Sequence, residues 1–136
     1  MRFDTKIGIV VRDDLAAWQR LNVTAFLAGA VAAARPEIIG EPYADAAGHD
    51  YLAMFRQPVL VYAGDADVLA AAFVRARDRG LDLAVYIDDM FKTGHDEANR
   101  AAVRAVAADA APLAGFAVHG PRNGVDKALK GLALHP

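Results

Sequence analysis

Apolar residues recur along this chain at two different periods. Ile7-Gly8-Ile9-Val10-Val11 follows Lys6 and is nearly continuous in apolar, β-branched character. That pattern predicts a short strand covered on both faces. Asp13 and Asp14 come next, and one of them is placed to cap a helix over about residues 15–34. In the first half of that helix Leu15, Trp18 and Leu21 are spaced to face a core, with Gln19, Arg20 and Asn22 on the wet side. The second half, from Val23 to Ala34, has few polar residues on any side. Such a helix is buried between layers or shared with a second subunit. Gly29 among small neighbours permits close helix contact, and Pro36 ends the helix.

Residues 37–57 are the least regular part of the chain. Tyr43 to His49 reads as a turn flanked by short extended pieces, a hairpin. Pro58-Val59-Leu60-Val61-Tyr62 predicts a second core strand. A helix opens at Gly64-Asp65-Ala66-Asp67 and runs to about Arg79, with Val68, Leu69, Ala72, Phe73 and Ala76 as its buried stripe. Gly80 suits the position after its C-terminus. Leu81 to Ile87 predicts a third strand. Thr93 and Asp96 stand three apart, as N-cap and N3 residues do, which predicts a helix over 94–109. Leu113 to His119 is a fourth strand, residues 120–124 turn the chain, and a short helix over 125–130 closes at Gly131. Strands alternating with helices argue for an α/β layered fold with a largely parallel sheet.

Composition narrows the class. A chain of 136 residues is expected to form one domain, here 1–136. With 55% hydrophobic and 24% charged residues it is not a disordered or low-complexity chain. The formal net charge of -2 makes nucleic acid an unlikely partner, because phosphate neutralisation needs a basic surface. The absence of cysteine removes disulfides, thiolate zinc sites and cysteine nucleophiles. The N-terminal residues carry no secretory h-region, and the longest apolar run, Ala25 to Ala34, is too short to span a bilayer. A cytoplasmic protein with no membrane contact is the expectation. No Gly-x-Gly-x-x-Gly, Walker sequence or Gly-x-Ser-x-Gly elbow is present.

The polar residues worth weighing cluster at predicted strand ends, where α/β sheets bind ligands. Asp88 and Asp89 end the third strand; adjacent strand residues point to opposite faces, so only one can face a given pocket. Lys92, Thr93 and His95 follow at a helix start, where free N–H groups favour an anion and a histidine can move a proton near neutral pH. His95 and Asn99 share a helix face, and Asp96 and Arg100 are spaced to pair. The plainer account of the same residues is a capped surface helix with an ordinary ion pair. Asp88, Asp89, His95 and Asp96 suggest a metal site, but Lys92 in their midst opposes one and no standard zinc spacing appears; neither metal nor cofactor is expected. Arg122 sits beside a second helix start, with Asn123 as its N-cap, Asp126 at N3 and Lys127 one face along. The plainer account of Lys127 and Lys130 is complementation of the helix dipole. His119 and His135 read as structural.

Two blocks resemble the type 2 peptidyl-tRNA hydrolases: Lys6 to Leu15 leading into an alanine-rich helix, and Gly120-Pro121 followed by Val125-Asp126-Lys127. Asp89, Lys92 and Thr93 fall where that superfamily has an Asp-x-x-Arg-Thr segment. A more specific string, Thr93-Gly94-His95-Asp96 with Asn99-Arg100, Gly120-Pro121-Arg122-Asn123, Val125-Asp126-Lys127 and Lys130-Gly131-Leu132, resembles the domain of unknown function 2000 family. The resemblance implies a three-layer α/β/α sandwich: a small mixed sheet with helices on both faces and the last strand antiparallel. It singles out Asp89 of the acidic pair. The chain departs from the hydrolases where they carry a lysine and a glutamine early in the first helix; Asn22 and Phe26 stand nearest those positions.

Three functions follow as expectations. The first is an enzyme or binding protein for a small molecule, an anion among the candidates. Its pocket lies beside Asp89, with Asp89, Thr93 and His95 as catalytic residues and Lys92, Asn99, Arg100, Arg122, Asn123 and Lys127 for binding. The second is a hydrolase-like esterase in which Asp89 orients a water while Lys92 and Thr93 hold phosphate or ester. The third is a homodimeric module joined through the helix around Gly29. The first requires the segment after the third strand and the turn before the last helix to converge on one crevice.

Overall fold

The apolar run after Lys6 forms the central strand β1 (Thr5–Arg12), with five consecutive residues, Ile7 to Val11, fully buried. A computed structural model describes residues 2–107 and 110–136. After β1 come α1 (Ala17–Ala34), a hairpin of β2 (Tyr43–Ala44) and β3 (Asp50–Tyr51), β4 (Val59–Gly64), α2 (Ala66–Asp78), β5 (Asp82–Ile87), α3 (Asp96–Arg104), β6 (Leu113–Pro121), α4 (Arg122–Ala128) and β7 (Ala133–Leu134). Short 3-10 turns at Pro36–Ile38 and Asp88–Lys92 follow α1 and β5.

The main sheet has the order β5-β6-β1-β4-β7. Helices cover both faces, as the resemblance implies. Val23, Leu27 and Val31 of α1 pack on one face with Ile7, Ile9 and Val11. On the other face Leu69, Ala72, Phe73 and Ala76 of α2 and Val125 and Leu129 pack with Val10, Phe116 and Val118. Residues of β1 and β6 serve both cores in alternation, which is why their runs are continuously apolar.

The expectation of a largely parallel sheet needs correction. β1, β4 and β5 share a direction, but only β1 and β4 are parallel neighbours. β6 runs antiparallel to both β1 and β5 and separates them, and β7 adds an antiparallel edge beside β4. Where β6 passes over α1, Gly115 is required: a Cβ there would lie 2.6 Å from the Val10 carbonyl oxygen and 2.8 Å from Val23 Cγ1.

Several local expectations change too. Neither Asp13 nor Asp14 caps α1; Ala16 does, with its N–H bonded to the Gln19 side chain, while Asp14 pairs with Arg12. Trp18 and Leu21 do not face the core but stand 62% and 72% exposed. The cap of α3 is His95, not Thr93, and Nδ1 of His95 accepts the Ala98 N–H at 3.2 Å. α3 stops at Arg104; the expected end at Asp109 lies outside the described residues. Gly120 and Pro121 belong to β6, and α4 starts at Arg122 with Pro121 as its cap, so Asn123 caps nothing. The hairpin, β4, α2 with its Asp65 cap, and β5 lie where the pattern predicts them. No helix among the described residues is long and apolar enough to cross a membrane.

Candidate functional site

Among the described residues β5 pairs with β6 on one side and with no strand on the other, and a cleft of about 830 Å³ opens along that edge. One wall is α1, which presents Trp18, Asn22, Phe26 and Ala30, each four residues after the last. The opposite wall is α3, which presents Asp96, Asn99, Arg100, Val103 and Arg104, again one helix face. Ala84, Val85 and Tyr86 form the floor, and Met90, Phe91 and Thr93 to His95 close the end.

Aromatic rings line the α1 side in a continuous row. Trp18 meets Phe91 at 6.0 Å between centroids, Phe91 meets Tyr86 at 5.0 Å, and Tyr86 meets Phe26 at 5.8 Å. These are edge-to-face and tilted pairs, the arrangement the ring quadrupoles favour. The phenol of Tyr86 is buried, and burial holds its pKa above the ordinary tyrosine value, so it keeps its proton. Its oxygen accepts from Asn22 Nδ2 at 3.4 Å.

The α3 side is polar. The Thr93 hydroxyl is shared between the Met90 carbonyl, at 3.0 Å, and the side-chain amide of Asn99. Asp96 is paired with Arg100. Because His95 spends the Nδ1 lone pair on the helix cap, its other ring nitrogen carries the proton in the neutral form and acts as a donor. Arg104 is exposed and makes no ion pair or side-chain hydrogen bond among the described residues.

Of the residues picked out from the sequence, four meet in this cleft: Thr93, His95, Asn99 and Arg100. Asp89 and Lys92 are exposed on the neighbouring 3-10 turn and do not line it. Asp88, the other acid, is held by Arg12 Nη1 at 2.8 Å, and the same nitrogen donates to the Leu113 carbonyl. Arg122, Asn123 and Lys127 lie at the opposite end of the sheet. The chain enters β6 at Leu113, beside Asp88, and leaves it at Pro121, so α4 starts where β1 begins. Arg122 Nε bonds the Phe3 carbonyl there, and Asp126 takes Lys6 at 2.5 Å. Eight residue steps of about 3.3 Å along β6 separate the two ends by about 26 Å. The expected convergence of the two loops is therefore corrected: β6 carries the second loop away from the cleft.

Trp18, Tyr86, Phe91 and Arg104 are not among the candidates the sequence offers, and Asn22 and Phe26 enter there only as departures from the hydrolases. A signal existed for three of these. Trp18, Asn22 and Phe26 recur every four residues along α1, the spacing of one helix side, and their face points past the sheet edge instead of onto the core.

Over residues 5–136 the sequence matches the family described as "Protein of unknown function (DUF2000)". The chain belongs to that family. A solved structure of a protein of unknown function from Agrobacterium tumefaciens strain C58 is similar to it at 46% sequence identity, with a TM-score of 0.97, over 99% of this chain and 100% of the other. A search for curated relatives finds no match.

Proposed function

We propose that the protein binds a small, largely apolar molecule in the cleft beside β5. The observation that carries this reading is the cleft itself. Its volume of about 830 Å³ falls in the range of ligand pockets, and it joins an aromatic wall to a few convergent polar groups. In this reading Thr93, His95, Asn99 and Arg100 orient the ligand. Binding is favoured over catalysis because the two candidate catalytic side chains in the cleft, His95 and Thr93, are already engaged. The free lone pair a general base needs is used at His95 by the Ala98 N–H, and Thr93 has no base beside it to activate its hydroxyl.

A thermal-shift screen of a diverse compound library, followed by fluorescence titration of the hits, tests the proposal. Trp18 is the single tryptophan and lies in the cleft, so a true ligand raises the melting temperature and also changes Trp18 emission. Ala30→Phe narrows the same cleft and is expected to abolish both effects. Hits that leave Trp18 emission unchanged and bind Ala30→Phe as well as the parent protein would overturn the assignment.

A second reading concerns self-association. Leu21 is 72% exposed on α1, and a Cβ placed on Gly29 of the same helix would have no atom within 4 Å. We propose that a second copy packs on this outer face of α1, beside the cleft. Equilibrium sedimentation should then give a dimer that Leu21→Lys or Gly29→Arg converts to a monomer; a monomeric parent protein at high concentration would defeat this reading.

A further inference from the structure

We infer that the ligand of this cleft is an aromatic carboxylate, with its ring against the row formed by Trp18, Phe26 and Phe91 and its carboxylate taken by Arg104. The inference rests on the small-molecule reading above and specifies the chemical class.

The argument is a count of which polar groups in the cleft are still free. Asp96 is occupied by Arg100, and the Asn99 oxygen by the Thr93 hydroxyl, so the main acceptors of the α3 wall are engaged. The uncommitted groups are mainly donors. The Tyr86 hydroxyl accepts from Asn22 and keeps its own proton free, in a side chain only 4% exposed. Asn22 has a second amide hydrogen, and the His95 ring nitrogen not used in the cap carries another in the neutral form. Among the charged side chains that line the cleft, Asp96 and Arg100 pair with each other and the Arg104 guanidinium has no partner among the described residues. A ligand that satisfies such a wall brings acceptors and a negative charge, and the planar fork of arginine matches a carboxylate.

The opposite wall sets the rest of the molecule. Its rings meet edge to face and leave Trp18 and Phe26 more than half exposed. An aromatic ligand continues that row and gains the quadrupole contribution beyond simple burial. Aromatic rings also attract cations, but the unpaired positive charge of Arg104 opposes one here.

Isothermal titration with 3-phenylpropionate, 3-phenylpropanamide, hexanoate and phenyltrimethylammonium tests the class. The aromatic acid should bind about tenfold more tightly than its amide, the difference a charge-assisted hydrogen bond makes at a solvated site. Hexanoate and the ammonium compound should bind more weakly than the aromatic acid. Arg104→Met should erase the advantage of acid over amide, and Arg104→Lys should restore part of it. Added salt should weaken the acid and leave the amide unchanged. The class is overturned if the amide, hexanoate or the ammonium compound matches the acid. It is overturned equally if none of the four binds while library hits sensitive to Ala30→Phe do; in both cases the cleft still stands as a binding site. If no compound of any class binds, the small-molecule reading itself falls.

Discussion

One carboxylate at the foot of β5 joins three elements. Asp82 receives Arg35 Nε at 2.6 Å and Arg35 Nη2 at 2.7 Å, a two-pronged pair from the end of α1. His119, its cross-strand neighbour on β6, faces the same carboxylate through Nδ1 at 3.0 Å. The Arg35 hydrogen bonds, aided by His119, hold the Asp82 carboxyl at about 2 against an ordinary value of 3.8. A depressed folded-state pKa means stability present above the unfolded value and lost as pH falls. This contribution should therefore be whole above pH 4 and disappear between pH 4 and pH 2. The side chain is partly exposed, so solvent screening limits the effect to about 1 kcal/mol. Urea denaturation at pH 6 and pH 2.5 checks it: Arg35→Met should be destabilised at the higher pH, and its deficit should shrink at the lower one. An equal deficit at both values would show that the pair contributes nothing through charge. The two histidines read as structural from the sequence are engaged in this way; His135 Nε2 lies 3.0 Å from Arg20 Nη1 and ties the chain end to α1.

Among the elements, legibility followed how strongly a pattern was imposed. β1 was readable because burial on both faces demands a continuous apolar run, and α2 because its Asp65 cap and single apolar stripe agree. α1 was readable as a helix but not as an oriented one. Alanine fills so many of its positions that several faces qualify as apolar, and Trp18 and Leu21 were assigned inward when Val23, Leu27 and Val31 hold that face. β7, two residues long, offers no periodicity at all. At α3 both ends differ from the expectation, and the cap is displaced by two residues. Thr93 has the right chemistry for a cap but is bound to Met90 and Asn99, and His95 takes the position. His95→Ala should cost about 1 kcal/mol and fray the first turn of α3, whereas His95→Asn should retain most of the cap. Hydrogen exchange at Ala98 separates the two variants; equal protection in both would mean that the side chain caps nothing. Since α3 is one wall of the cleft, the alanine variant should also weaken binding, by loosening the surface that carries Asn99 and Arg104.

The scale of the whole molecule is where the site escaped the sequence. Nothing local states that β6 inserts between β5 and β1, yet that choice sends Arg122, Asn123 and Lys127 to the far end of the sheet and leaves β5 at the edge of the main sheet. Thr93, His95, Asn99 and Arg100 line one cleft because the segment after β5 and α3 are contiguous in sequence, so no topology can separate them. The same arrangement makes a thermodynamic prediction. Leu69 sits in the core between α2 and the sheet, and Val31 in the core between α1 and the sheet, with β1 and β6 between them. Val31→Ala should cost about 2 kcal/mol and Leu69→Ala about 3 kcal/mol, from lost burial and the cavity left. The two residues share no partner across the sheet, so the double variant should equal the sum within about 0.5 kcal/mol. It should still unfold in one transition, because the central strands belong to both cores and cannot lose one without exposing the other. Denaturant titrations of the four proteins, followed by circular dichroism and Trp18 emission together, test both statements. Trp18 reports the α1 side alone, so its transition should coincide with that of the backbone. Separate midpoints would mean that the α1 layer detaches from the sheet independently, taking one wall of the cleft with it.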